Sequence, residues 1–138
     1  MRFKTILGSA KTLRHAHKYR IDWEKKSRSK FQTRIKNIVN PYWSSHIVFE
    51  EFPVVSTRLS LDIYNETLKV AIEVQGRQHT KYVKFFHGPS KLSYLAQLKR
   101  DQDKFDFCEI NGILLIEIHD EDDTCRLENF LKGEKWEN

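Results

Sequence analysis

Two carboxylates and one amide define the chemistry this sequence can offer. Asp62 lies in the stretch Arg58 to Tyr64, where Leu59, Leu61 and Ile63 alternate with polar residues, so a strand here places Asp62 on the face opposite those three. Leu68 to Gln75 alternates as well, with Leu68, Val70, Ile72 and Val74 on one face and Lys69, Ala71, Glu73 and Gln75 on the other. Asn65-Glu66-Thr67 has turn chemistry, and the two stretches read as a hairpin whose less apolar face gathers Asp62, Glu73 and Gln75. Oxygen ligands of this kind suit Mg²⁺ or Mn²⁺. A hard cation held by one or two carboxylates keeps water positions for a phosphate substrate.

Further groups stand where they can join that pair. His79 follows Gly76 at the exit of the strand that carries Glu73, a place from which an imidazole can act as general acid or base, or serve as an ordinary loop residue. On a helix expected from Ser90, its N-cap, to Ile110, the residues Tyr94, Leu98, Phe105 and Cys108 form an inward stripe, and Asp101 falls on it. A carboxylate on a core-facing stripe needs a partner, which a metal site, His79 or a Lys or Arg would supply. Lys104, one turn onward, reaches either a phosphate or Asp101.

The elements that must position these groups follow from periodicity. Trp23, Phe31, Ile35 and Ile38 recur at helical spacing between Asp22 and Val39, with Lys and Arg on the other side and Asn40-Pro41 as a stop. Ile47-Val48-Phe49 is a short strand, Asn111-Gly112 a left-handed helix end, and Ile113 to Ile118 a buried strand. A last helix spans about Thr124 to Lys132, with Leu127, Phe130 and Leu131 inward, Gly133 after it, and Asp120 to Asp123 at its positive end. The order predicts an α/β layering, a mixed sheet flanked by helices.

With 138 residues and no linker, repeat or low-complexity tract, one domain is expected throughout, with a basic N-terminal arm over about 1–21 and a tail over about 133–138. Residues 1–20 carry few apolar positions, compatible with a continued helix or with an arm that orders on DNA. The net charge of +5 divides into +10 over residues 1–36 and −5 over the rest. A basic segment on a mildly acidic domain fits a polyanion partner, because each phosphate neutralised releases counterions; a solvated helix face is the plainer alternative. Two cysteines, no secretory signal and no apolar run near the ~20 residues of a membrane span point to an intracellular, cytoplasmic setting. Zinc-ribbon spacing, a P-loop, a dinucleotide fingerprint and a nucleophile elbow are all missing from the sequence.

Leu61-Asp62, ten intervening residues, then Glu73-Val74-Gln75 resembles the motif of PD-(D/E)XK nucleases. Ile72 to His79 (IEVQGRQH), Asp101-Gln102-Asp103-Lys104 and Phe107 to Ile118 look like the branch that includes very-short-patch repair endonucleases and homing endonucleases with a Glu-Asp-x-His-Asp signature. The resemblance covers roughly residues 25–120. It implies a restriction-endonuclease-like core and Mg²⁺- or Mn²⁺-dependent hydrolysis of DNA, of homing or mismatch-repair type, in a phage or mobile-element setting. Asp62 and Glu73 would hold the metal, Gln75 would orient, and His79 or Asp101 would assist proton transfer or metal binding. Arg77, Lys81, Lys84, Lys104 and the N-terminal Arg28, Lys30 and Arg34 would hold the nucleic-acid backbone. The chain departs from the pattern at Leu61, where proline is usual, and at Gln75, where many members carry lysine. Gln32 stands at the place of a helix glutamate that serves as a further ligand. A catalytically silent binding or assembly protein, a junction resolvase and an RNA-directed nuclease are the alternatives, and the small size admits a homodimer.

Overall fold

The computed structural model describes residues 1–75 and 89–137. Its centre is a four-stranded mixed sheet of β3 (Val48–Pro53), β4 (Ser60–Asn65), β5 (Val70–Val74) and β6 (Leu114–Ile118), in the order β3-β4-β5-β6. The pairs β3–β4 and β4–β5 are antiparallel, and β6 pairs parallel with β5 after the crossover helix α2 (Pro89–Ile110). Helices α1 (Lys30–Trp43) and α3 (Glu121–Leu131) complete the layers. The α/β layering expected from the pattern is therefore present.

Both faces of the sheet are covered. Ile35, Val39, Trp43, Val48, Ile63, Val70, Ile72, Ile116, Ile118 and Leu127 form the core beneath α1 and α3. Phe49, Phe52, Leu61, Tyr64, Ala71, Phe107, Cys108 and Leu115 form the other, beneath α2 and the N-terminal segment. The basic segment is folded rather than an arm or a helix: β1 (Arg2–Lys4) and β2 (Ala10–Thr12) make a small antiparallel hairpin, followed by a 3₁₀ turn at Ala16–Tyr19. Phe3 anchors it, with its ring 5.6 Å from those of Phe52 and Phe107. Phe3, with Met1, Ile6, Leu13 and Tyr19 packed against the same core, supplies the apolar burial that pattern reading found too sparse.

Helix α1 begins later and ends later than its periodicity suggests. Ser29 is the N-cap, accepting a 3.0 Å hydrogen bond from the Gln32 amide, and Pro41 sits inside the helix instead of ending it. Burial of Trp43 carries the helix past the proline. Its inward face holds Gln32 and Lys36 beside Ile35 and Val39, whereas Trp23, Phe31 and Ile38 are only partly buried. Helix α2 already includes Pro89, so Ser90 lies within it and is not its cap. Its C-terminus closes as expected, with Gly112 at φ +67° and the Ile113 amide donating to Cys108 O at 2.8 Å. Helix α3 starts at the acidic run, capped by the Asp120 side chain. Among the described residues no helix is long and apolar enough to cross a membrane.

Candidate active site

The site forms where β3 and β4 stop behaving as regular strands, beside the end of β5. Glu51 adopts a left-handed backbone, φ +51°, in the middle of β3, opposite Asp62. A regular strand turns successive side chains to opposite faces. Here Phe49 and Phe52, three apart, both enter the same core, and so do Tyr64 and Leu61 on β4. The alternation predicted for Leu59, Leu61 and Ile63 thus breaks at Asp62: Leu59 and Leu61 pack in one core and Ile63 in the other. As a result Glu50 and Glu51 face the same way, and Gln32 Nε2 donates to both, at 2.9 and 3.1 Å.

The β4–β5 ladder ends with Ile63 opposite Ile72, so Asp62 and Glu73 would be the next pair in register. There the side chains take over the hydrogen bonding. The Asp62 amide donates to Glu73 Oε2 at 2.7 Å, and the Val74 amide donates to Asp62 Oδ2 at 2.8 Å. Each carboxylate turns its second oxygen to a cation: Arg28 lies 3.2 Å from Asp62 Oδ1, and Lys104 Nζ bonds Glu73 Oε1. Arg28 also reaches Glu51 Oε1 at 3.4 Å. Asp62 and Glu73 are 4% and 2% exposed, so they are not the half-solvated hairpin residues that the alternation alone would allow.

Burial, followed by the neighbouring Asp62 charge, pushes the Glu73 carboxyl up to about 7. Burial raises Asp62 as well, against the pull of the Val74 amide and Lys104. Two buried acids held up in this way gain from added positive charge. Two carboxylates, with Gln75 directly after the strand that carries Glu73, are oxygen donors of the kind a hard divalent ion accepts. Among the described residues no group of three or more His, Cys, Asp and Glu is set to hold a metal.

The two acids open into a cleft of about 590 Å³ walled by Arg28 and Gln32, by Arg58, Ser60 and Asp62, by Glu73 and Gln75, and by Gln97, Arg100 and Lys104 of α2. Gln75 is brought in, but its Nε2 donates to Asp101 Oδ1 at 3.4 Å, and Gln97 donates to the same oxygen at 2.9 Å. Asp101 is half-buried on the side of α2 that meets Gln75. The inward side of α2 carries Gln97, Asp101 and Lys104, then Phe107 and Cys108 in the core; Leu98 and Phe105 of the predicted stripe are 40% and 46% exposed. The helix covers a polar cleft, so apolar spacing misreads its orientation.

Gln32 lines the cleft without touching Asp62. Arg34 is committed elsewhere, in a two-pronged bridge to Glu121 of α3, one prong at 2.8 Å. Lys30 is exposed at the start of α1. His79, Arg77, Lys81 and Lys84 lie outside the described residues. Sequence reading missed Arg58, Arg100 and Glu51. Arg58 was within reach of it, since positions 58, 60 and 62 share a parity; Glu51 was not, because its backbone conformation has no sequence mark in a glutamate.

No family model and no solved structure matches the chain. Similar sequences occur in viruses. The chain is 44% identical over 66 residues to "Uncharacterized protein 094L" of Frog virus 3, a match covering 48% of the chain and 43% of that protein. It is 32% identical over 78 residues to "Uncharacterized protein 033L" of Invertebrate iridescent virus 3, covering 56% and 40%. Over 83 residues it is 32% identical to "Uncharacterized protein 307L" of Invertebrate iridescent virus 6, covering 56% and 42%. The matches span less than half the length of each of these relatives.

Proposed function

We propose that the chain is a divalent-metal-dependent endonuclease with a restriction-endonuclease-like core, hydrolysing phosphodiester bonds in DNA. One observation carries the reading: Asp62 and Glu73, buried and fixed by each other's strand amides, present one oxygen each into a cleft walled by cations. Bound there, Mg²⁺ or Mn²⁺ would supply a polarised water and neutralise charge growing on the phosphate. The protein's own residues do the rest. Backbone amides fix both carboxylates without side-chain freedom, so little reorganisation is needed when substrate arrives. Lys104 brings an ammonium to Glu73 from α2, which sets positive charge beside the acids although position 75 is glutamine. Gln75, tied to Asp101, orients groups at the cleft wall. Arg28 neutralises Asp62 and offers a guanidinium to phosphate oxygens.

Cleavage of supercoiled plasmid, linear duplex and branched DNA, with Mg²⁺, Mn²⁺ or EDTA, tests the proposal. Metal-dependent cutting that is lost in Asp62→Asn and Glu73→Gln supports it. Absence of cutting on every substrate, together with salt-sensitive DNA binding, favours the second reading: a binding protein that keeps the fold. The commitment of Gln32 to Glu50 and Glu51, away from Asp62, is the observation on that side.

A further inference from the structure

The cations of the cleft fall into two sets. Arg28 and Lys104 are engaged by Asp62, Glu51 and Glu73 at its floor. Arg58 and Arg100 stand on its two walls, Arg58 just before β4 and Arg100 on α2, and both are exposed. Among the described residues neither is paired with a carboxylate; Arg100 is steadied by the Gln97 side-chain carbonyl, at 3.1 Å. Other arginines and lysines near acids here are tied down, as Arg34, Lys36, Lys99 and Arg126 are. The result is an arrangement of two guanidiniums that no described carboxylate neutralises, on two walls above a floor whose acids are already matched by Arg28 and Lys104. It suits a ligand whose negative charges are spaced along a chain, with one charge over the floor and its neighbours on the walls.

We infer that Arg58 and Arg100 form a clamp for the phosphates flanking the one held at Asp62 and Glu73, so that a sugar-phosphate strand crosses the cleft from the β4 wall to the α2 wall. The substrate class rests on the endonuclease reading; the clamp itself needs only a polyphosphate strand. Guanidinium forks bind phosphate oxygens in pairs and carry no base preference, so the clamp sets register rather than sequence.

Binding in EDTA separates this inference from catalysis. Titration of a fluorescein-labelled duplex, and of one of its single strands, at several salt concentrations gives the slope of log affinity against log salt. Each phosphate contact contributes about 0.9 to that slope on duplex and about 0.7 on a single strand. The Arg58→Ala, Arg100→Ala double variant is expected to lose about 1.8 from the duplex slope or about 1.4 from the single-strand slope. The corresponding double Lys variant should keep most of it, since lysine retains the charge. Lys4→Ala with Lys11→Ala, outside the cleft on the N-terminal hairpin, controls for general loss of charge. An unchanged slope in the double Ala variant, or an equal loss in the hairpin control, overturns the clamp. Plasmid cleavage by the wild type with an unchanged slope would sink the clamp and leave the nuclease reading standing; a lost slope without any cleavage would do the reverse.

Discussion

Glu73 accepts a 2.7 Å hydrogen bond from the amide of Asp62, while the Asp62 carboxylate accepts a 2.8 Å bond from Val74, the residue after Glu73. The exchange replaces the backbone pairing that the ladder gives up beyond Ile63 and Ile72. It fixes two like charges at the bottom of a cleft, and the consequences can be measured.

Stability should depend on pH through Glu73. Its folded carboxyl titrates near 7 against an ordinary value of 4.5, because burial and then Asp62 disfavour its charge. Between those values the folded protein holds a proton that the unfolded chain has released, so stability falls as pH rises through the window. Below it the penalty is absent; above it the penalty is complete. Urea denaturation across pH 4.5 to 7 should show this decline, and Glu73→Gln should flatten it.

Divalent metal should offset the same penalty. Mg²⁺ or Mn²⁺ at about 100 times its Kd should add about 2.7 kcal/mol to stability, seen as a higher Tm in calorimetry. Metal affinity should rise with pH as Glu73 loses its proton. Asp62→Asn, which keeps an acceptor for the Val74 amide, should fold and lose the metal-induced shift. A wild type whose Tm ignores both ions would remove the metal from the account.

Lys36 is 1% exposed, with Nζ 3.0 Å from Glu50 Oε1 and 2.7 Å from Lys25 O. Removing one member of such a pair leaves a buried charge unmatched, so Lys36→Met should cost about 3–5 kcal/mol in chemical denaturation. Lys36→Met combined with Glu50→Gln should recover much of that loss, because the neutral amide introduced at position 50 keeps a carbonyl oxygen to accept from Gln32 and Ser27. Equal destabilisation by the single and double variants would argue against the pairing.

The two thiols should differ sharply in reactivity. Cys108 is buried on α2, and burial, with the Glu73 charge behind it, pushes its thiol up to about 12. Cys125 is exposed on α3. A thiol reagent should label one cysteine in native protein and both in denaturant. Native labelling of Cys108 would mean that α2 opens from the sheet.

Much of the framework was legible because period-two and helical patterns report which side of an element is buried. The β4–β5 hairpin, the buried strand β6 and the placing of Asp62 near Glu73 follow from such patterns, and Asn111-Gly112 marks the end of α2. The failures share a cause. At Glu51 a left-handed backbone shifts the phase of β3 and β4, which no propensity announces. On α1, Gln32 and Lys36 are inward because Glu50 and Glu51 receive them, and on α2 the inward face is polar over Gln97 to Lys104, where it walls a cleft, and apolar only at Phe107 and Cys108. Apolar periodicity locates cores, and it is silent where the buried surface is built from paired charges. The N-terminal segment is the opposite case, docked by Phe3 and by Leu13 and Tyr19 at positions that follow no period.

The parallel pairing of β5 with β6 gives the site an order of assembly. Asp62 and Glu73 meet through a hairpin closed by a four-residue turn, whereas Glu73 gains Lys104 only when α2 has crossed the sheet and β6 has docked. Local hairpins close in microseconds and distant parallel pairing is slower. During refolding the two acids therefore face each other before their ammonium arrives, and low pH or divalent metal should stabilise the hairpin at that stage, ahead of the step that docks α2.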